Sequence, residues 1–109
     1  MPISDSWQPV DTLLGVTAST TATTGTAYSS STTPPFMCAR ICNQSDKWNN
    51  VLISAAGTNA TVSTGVSVPP NSCVIIRVDP SQNKFSSIST GAPTSGLITV
   101  QPGNGGISP

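Results

Sequence analysis

Residues 66–85 read VSVPPNSCVIIRVDPSQNKF. The most apolar run of the chain, Cys73-Val74-Ile75-Ile76, lies between a double proline and an Asp-Pro, with almost no charge nearby. Proline fixes φ and cannot donate to a sheet ladder, so Pro69-Pro70 opens a strand and Asp79-Pro80 closes it. Within SCVIIRV the side chains alternate. Val74, Ile76 and Val78 fall on one face, Cys73, Ile75 and Arg77 on the other. With apolar residues on both faces, the run is expected to be a central strand, covered on much of each side. DPSQN supplies a turn, because Asp and Asn bond to their own backbone.

The same reading extends in both directions. FMCARICN (36–43) places Met37, Ala39 and Ile41 on one face and Cys38, Arg40 and Cys42 on the other. QSDKWN is a polar turn, and NVLISAAG is the next strand. Gly57-Thr58-Asn59 turns the chain into TVSTGVSV, an irregular strand broken at Gly65. Beyond residue 83, KFSSIS returns as a strand, GAPTSG turns, and LITVQ closes the sheet before QPGNGGISP leaves as a Gly/Pro tail. VTASTTAT is a weak early strand and TGTAYSSSTTPP a loop. Turn signals recur roughly every 8 to 12 residues, the spacing of an antiparallel sandwich or barrel. No segment carries a helix-length amphipathic period. The expected fold is all-β: an antiparallel β-sandwich or jelly-roll-like barrel. Residues 1–14 would form an extended N-terminal arm, 15–103 the sandwich, and 104–109 a flexible C-terminal tail.

Composition narrows the function. The chain has 109 residues, enough for one domain, and 7% of them are charged, with zero net charge. An average soluble domain carries about 25% charged residues. The four basic residues, Arg40, Lys47, Arg77 and Lys84, are dispersed. That argues against nucleic acid and against an anionic membrane surface. A neutral surface offers little repulsion between copies, which points towards life in an assembly. No basic-then-apolar leader follows Met1, so synthesis and folding in a cytosol are expected. No apolar stretch approaches the roughly 18 residues of a spanning helix.

Chemistry-bearing constellations are sparse. There is no histidine, which removes the commonest general base and zinc ligand. Asp5, Asp11, Asp46 and Asp79 fall in arm or turn positions, where aspartates usually turn or cap backbone. Cys38 and Cys42 share a strand face but stand roughly 13 Å apart at 3.3 Å per residue, too far for a disulfide or a shared metal. Cys73, on a neighbouring strand, can approach one of them. The three are read as small buried apolar thiols. No cofactor and no metal are expected. Asn43-Gln44-Ser45 and Asn59-Ala60-Thr61 match the glycosylation pattern and, without a secretory leader, are read as coincidence. Trp48, in a turn, either packs in the core or offers a ligand-facing stacking platform. On the arm, Trp7, Leu13 and Leu14 are the candidate interface anchors, since interface hot spots favour Trp and apolar residues in a true tail are unusual.

The pieces ARICNQS, NVLIS, STGVSVPPNS, CVIIRV, FSSIST and GLITVQPG, in this order over residues 37–103, form a pattern that resembles the small β-sandwich head decoration (cement) proteins of tailed bacteriophages. Related sandwiches occur in head fibres and tail parts. The resemblance implies a non-enzymatic virion structural protein on the capsid surface, made in the host bacterial cytoplasm. It would bind the major capsid protein and itself, as a homodimer or homotrimer, and bridge capsomers without any catalytic residue. The alternative is a receptor- or carbohydrate-binding module of a fibre or tail. An enzyme is the least favoured class, given no histidine and few acids.

Overall fold

The structure, a computed structural model, describes residues 7–9, 14–23, 25–28, 38–79 and 81–104. Among them are nine strands and no helix: β1 (Gln8–Pro9), β2 (Leu14–Thr17), β3 (Thr26–Ala27), β4 (Cys38–Asn43), β5 (Asn49–Ser54), β6 (Val66–Val68), β7 (Ser72–Arg77), β8 (Lys84–Ser89) and β9 (Leu97–Asn104). They form two antiparallel sheets. The first has the order β1-β9-β4-β7, with β2 also on β9; the second has the order β3-β8-β5-β6. The molecule is a β-sandwich.

Period-2 alternation sets the core. Ala39 and Ile41 of β4 and Ile98 and Val100 of β9 point inward from the first sheet and are fully buried. Val51, Val68 and Phe85 answer from the second. Tyr28 packs edge-on to Phe85 with ring centroids 6.2 Å apart, and its hydroxyl donates to the Gln82 carbonyl at 2.5 Å. Burying such a polar tip is tolerable because the hydroxyl keeps a partner. Desolvation pushes the Tyr28 pKa well above its ordinary value.

Loops cover the outer face of the second sheet. Ser86 Oγ donates to the Thr23 carbonyl at 2.6 Å and accepts from the Ala60 N–H at 2.9 Å, which ties two loops across β8. The first sheet's outer face is more open, with Cys73 and Arg77 exposed and Arg40, Ile75 and Gln101 half-buried.

Three expectations are corrected. SCVIIRV is not central: among the described residues β7 pairs with β4 alone and forms the edge of its sheet. Val74 and Ile76 are packed against the core but remain half-buried, because among the described residues no strand lies beyond them. At the C-terminal side, the last strand does not stop at Gln101. Pairing with β4 continues through Pro102 to Gly103, and with β1 to Asn104. Pro102 falls between the β9 residues that pair with β2 (97–100) and with β1 (103–104), where a missing N–H breaks neither ladder. At the N-terminal side, the expected boundary between residues 14 and 15 falls inside β2. Gln8, Pro9 and Leu14 lie along the same edge of β9 as residues 15–17.

Candidate functional site at one end of the sandwich

Three inter-sheet connections meet at one end: β4–β5 (residues 44–48), β6–β7 (69–71) and β8–β9 (90–96). The registers require it. Asn43 is level with Ser72 and Ile98, and Asn49 with Val68 and Ser89, so these strands all end at the same height. Each loop crosses from one sheet to the other there.

A buried polar network holds this end together. The Asn43 amide donates to the carbonyls of Lys47 at 2.7 Å and Val68 at 3.0 Å, and its oxygen accepts the Ser45 N–H at 2.9 Å. The Asn49 amide donates to Ser45 Oγ at 2.9 Å and to the Lys47 carbonyl at 3.0 Å, while its oxygen accepts from Ser89 Oγ at 2.8 Å. These groups are almost wholly out of water, where unmade bonds are costly, so the network fixes the β4–β5 turn in one geometry. It also occupies the Asn43 amide, which lies in the Asn-Gln-Ser match. The β8–β9 loop is pinned from the other side. Asp46 accepts from the Thr94 N–H at 3.0 Å and from its hydroxyl at 3.1 Å. The Thr94 N–H bond, helped by the Thr94 hydroxyl, holds the exposed Asp46 carboxyl below its usual pKa against an opposing effect of desolvation. Thr90 donates its N–H to the Trp48 carbonyl at 3.0 Å. At Gly96, φ is 112°, and a Cβ would stand 2.4 Å from the Gln44 carbonyl oxygen. Glycine is required here by both conformation and space.

On the outer face beside these loops lies an open cleft of about 370 Å³, lined by Arg40, Cys42, Asn43, Gln44, Asn71, Ser72, Cys73 and Thr99. Cys42 and Cys73 form a disulfide across β4 and β7. Arg40 Nη2 donates towards Cys73 Sγ at 3.7 Å. Asn71, at φ 55°, makes the corner that starts β7. The cleft thus offers a guanidinium, amides and hydroxyls: hydrogen-bonding and cationic recognition. Among the described residues no three His, Cys, Asp or Glu side chains gather to hold a metal.

The expectation of three free thiols is therefore corrected. Cys38 is free and buried; Cys42 and Cys73 are bonded. Of the candidate anchors, Trp7 precedes β1 and is half-buried, its indole Nε1 enclosed without a hydrogen-bond partner. Leu14 packs against the core from β2. Leu13 lies outside the described residues. Trp48 is 50% exposed and stands in the β4–β5 turn, so it is not a core residue. Leu97, 44% exposed at the start of β9, joins it at this end; the Gln44 N–H donates to the Leu97 carbonyl at 2.9 Å. Sequence reasoning missed Leu97, Arg40 and the cleft. The signal was confined to the alternation that puts Arg40 and Cys42 on the outer face of β4.

Compared with protein families, curated proteins and solved structures, the chain matches none.

Proposed function

We propose that this chain is a non-enzymatic structural protein of a phage virion, one that binds the outer surface of the capsid and bridges capsomers. The observation that carries the reading is the rigid loop end. Trp48, on the β4–β5 turn that a buried hydrogen-bond network locks, and Leu97, the first residue of β9, are two of the exposed large apolar side chains. Preorganised aromatic and aliphatic anchors lose little conformational freedom on docking, and hot spots are enriched in Trp. The charge-poor surface and the resemblance of residues 37–103 to head decoration proteins support the same conclusion. The partners are then the major capsid protein and further copies of the chain. Each copy needs to bury roughly 1,200 to 2,000 Å² to dock stably, and repeated identical contacts add by avidity.

The test is quantitative mass spectrometry of particles purified from the phage that encodes the chain, together with co-sedimentation of the protein with heads lacking it. Hundreds of copies per particle and saturable binding weakened at least about tenfold by Trp48→Ala are expected. Absence from particles overturns the proposal. The exposed Trp48 also suits the second reading, a carbohydrate-binding module of a fibre or tail. That reading predicts a handful of copies and a Trp fluorescence change on titration with oligosaccharides.

A further inference from the structure

The β7 edge is unlike the other edges of the sandwich. Sheet edges carry unpaired N–H and C=O groups that template pairing with another strand, and proteins usually blunt them with short strands, prolines or charge. Three edges here are blunted. β3 has two residues, β6 has three and runs into Pro69, and β9 is covered by the short β1 and β2, with Pro9 in β1. β7 has six residues, Ser72–Arg77, with one charge at its end. Val74, Ile75 and Ile76 are all half-buried there, while Ala39, Ile41, Ile98 and Val100, inward on β4 and β9, are at 0% exposure.

The register identifies which β7 groups are free. Facing residues that exchange no main-chain hydrogen bonds come closest, with Cα atoms about 4.5 Å apart against about 5.5 Å in bonded pairs. Cys42 and Cys73 stand 4.0 Å apart and are a non-bonded pair. Independently, the Gln44 N–H donates to the Leu97 carbonyl, so two residues back the Cys42 main chain also faces β9, away from β7. By alternation, the main-chain groups of Cys73, Ile75 and Arg77 point outward from the edge.

We propose that this edge pairs with β7 of a second copy of the chain, antiparallel and about a two-fold axis through Ile75. That register uses all three outward residues. Ile75 faces Ile75 of the second copy, and Arg77 faces Cys73 of the second copy, so no like charges stand directly opposite. On the inner face Val74 meets Ile76 of the second copy, and the remaining apolar exposure of the strand is covered. Zero net charge leaves no long-range repulsion between copies. The strand is therefore complementary to itself, which a partner strand of unrelated sequence has no reason to be. The proposal does not rest on the virion reading, because dimerisation and presence in particles are measured separately.

The test is sedimentation equilibrium of the full chain over a concentration series, joined to amide hydrogen exchange by NMR. A reversible species of twice the 11.1 kDa chain mass is expected. The Cys73, Ile75 and Arg77 amides should become protected as concentration rises, while those of Val74 and Ile76, already bonded to β4, should not change. Ile75→Lys places two lysines against each other and should weaken the dimer by about a hundredfold. Val62→Lys, at an exposed loop position, should leave it unchanged. A monomer at every concentration overturns the proposal. So does a dimer whose outward β7 amides stay unprotected, or capture of this edge only by a strand of another protein. Should Ile75→Lys fail to fold, the concentration dependence of exchange in the unaltered chain decides.

Discussion

Cys42 on β4 and Cys73 on β7 stand directly opposite each other, with Cα atoms 4.0 Å apart and their sulfurs bonded. The link joins two strands of the first sheet and closes a loop between positions 31 residues apart that contains β5 and β6 of the second sheet. Cys38, four residue pairs further along β4, faces Arg77 and remains a thiol.

Reduction, or Cys42→Ala with Cys73→Ala, should destabilise the fold by about 3–4 kcal/mol, the loop-closure value for a loop of this length. Denaturant midpoints with and without reductant measure it. Thiol titration should find no reactive thiol in the native protein and one, Cys38, after unfolding. Three reactive thiols in the unreduced, unfolded chain would rule the bond out.

Tyr28 is the one tyrosine of the chain, so phenolate absorbance reports on it alone. Burial raises its folded-state pKa above the ordinary 10.0. A raised folded pKa means that this contribution to stability is complete below pH 10 and falls as the pH rises above it, because the unfolded chain ionises more readily. Alkaline titration should show the phenolate appearing in one cooperative step together with loss of the far-ultraviolet β signal. Smooth ionisation near pH 10 with the fold intact would contradict the burial.

Gly96→Ala should cost about 1–3 kcal/mol, from a strained positive φ together with a clash against the Gln44 carbonyl. The thermal midpoint measures it. Gly91→Ala is the control, since a Cβ there meets its nearest atom, the flexible Lys47 chain, at 3.5 Å; its change should stay within about 0.5 kcal/mol.

Asn49→Ala should cost about 1–3 kcal/mol, because Ser89 Oγ, Ser45 Oγ and the Lys47 carbonyl all lose a bond in a place without water. Trp48, carried by the same turn, should become more mobile, read as a lower fluorescence anisotropy. An Asn49→Ala protein with unchanged stability would show that the network is not what fixes the turn.

Much of the architecture was legible from local pattern. Ala39 and Ile41 were placed on one face of their strand, and that face is the fully buried one; NVLIS and KFSSIS became β5 and β8; Pro69-Pro70-Asn71 makes the corner before β7. What failed depended on neighbours. β7 was read as central because its composition is apolar on both faces, yet composition cannot say whether a strand has one partner or two. The last strand was read as ending at Gln101, because the tolerance of Pro102 depends on falling opposite a gap in the β1 and β2 ladders.

By itself the sequence determined the all-β class, the approximate positions of the longer strands and turns from residue 38 onward, and which side chains share a face, since alternation, proline and glycine act over a few residues; β1 and β3 were read as arm and loop. Only the tertiary structure decided which strands lie side by side, that Cys42 meets Cys73, that β7 is an edge, and that Trp48, Leu97 and the Arg40 cleft share one end. Those facts arise from register between segments tens of residues apart, and register is set by the fit of the whole core rather than by any stretch of chain within it.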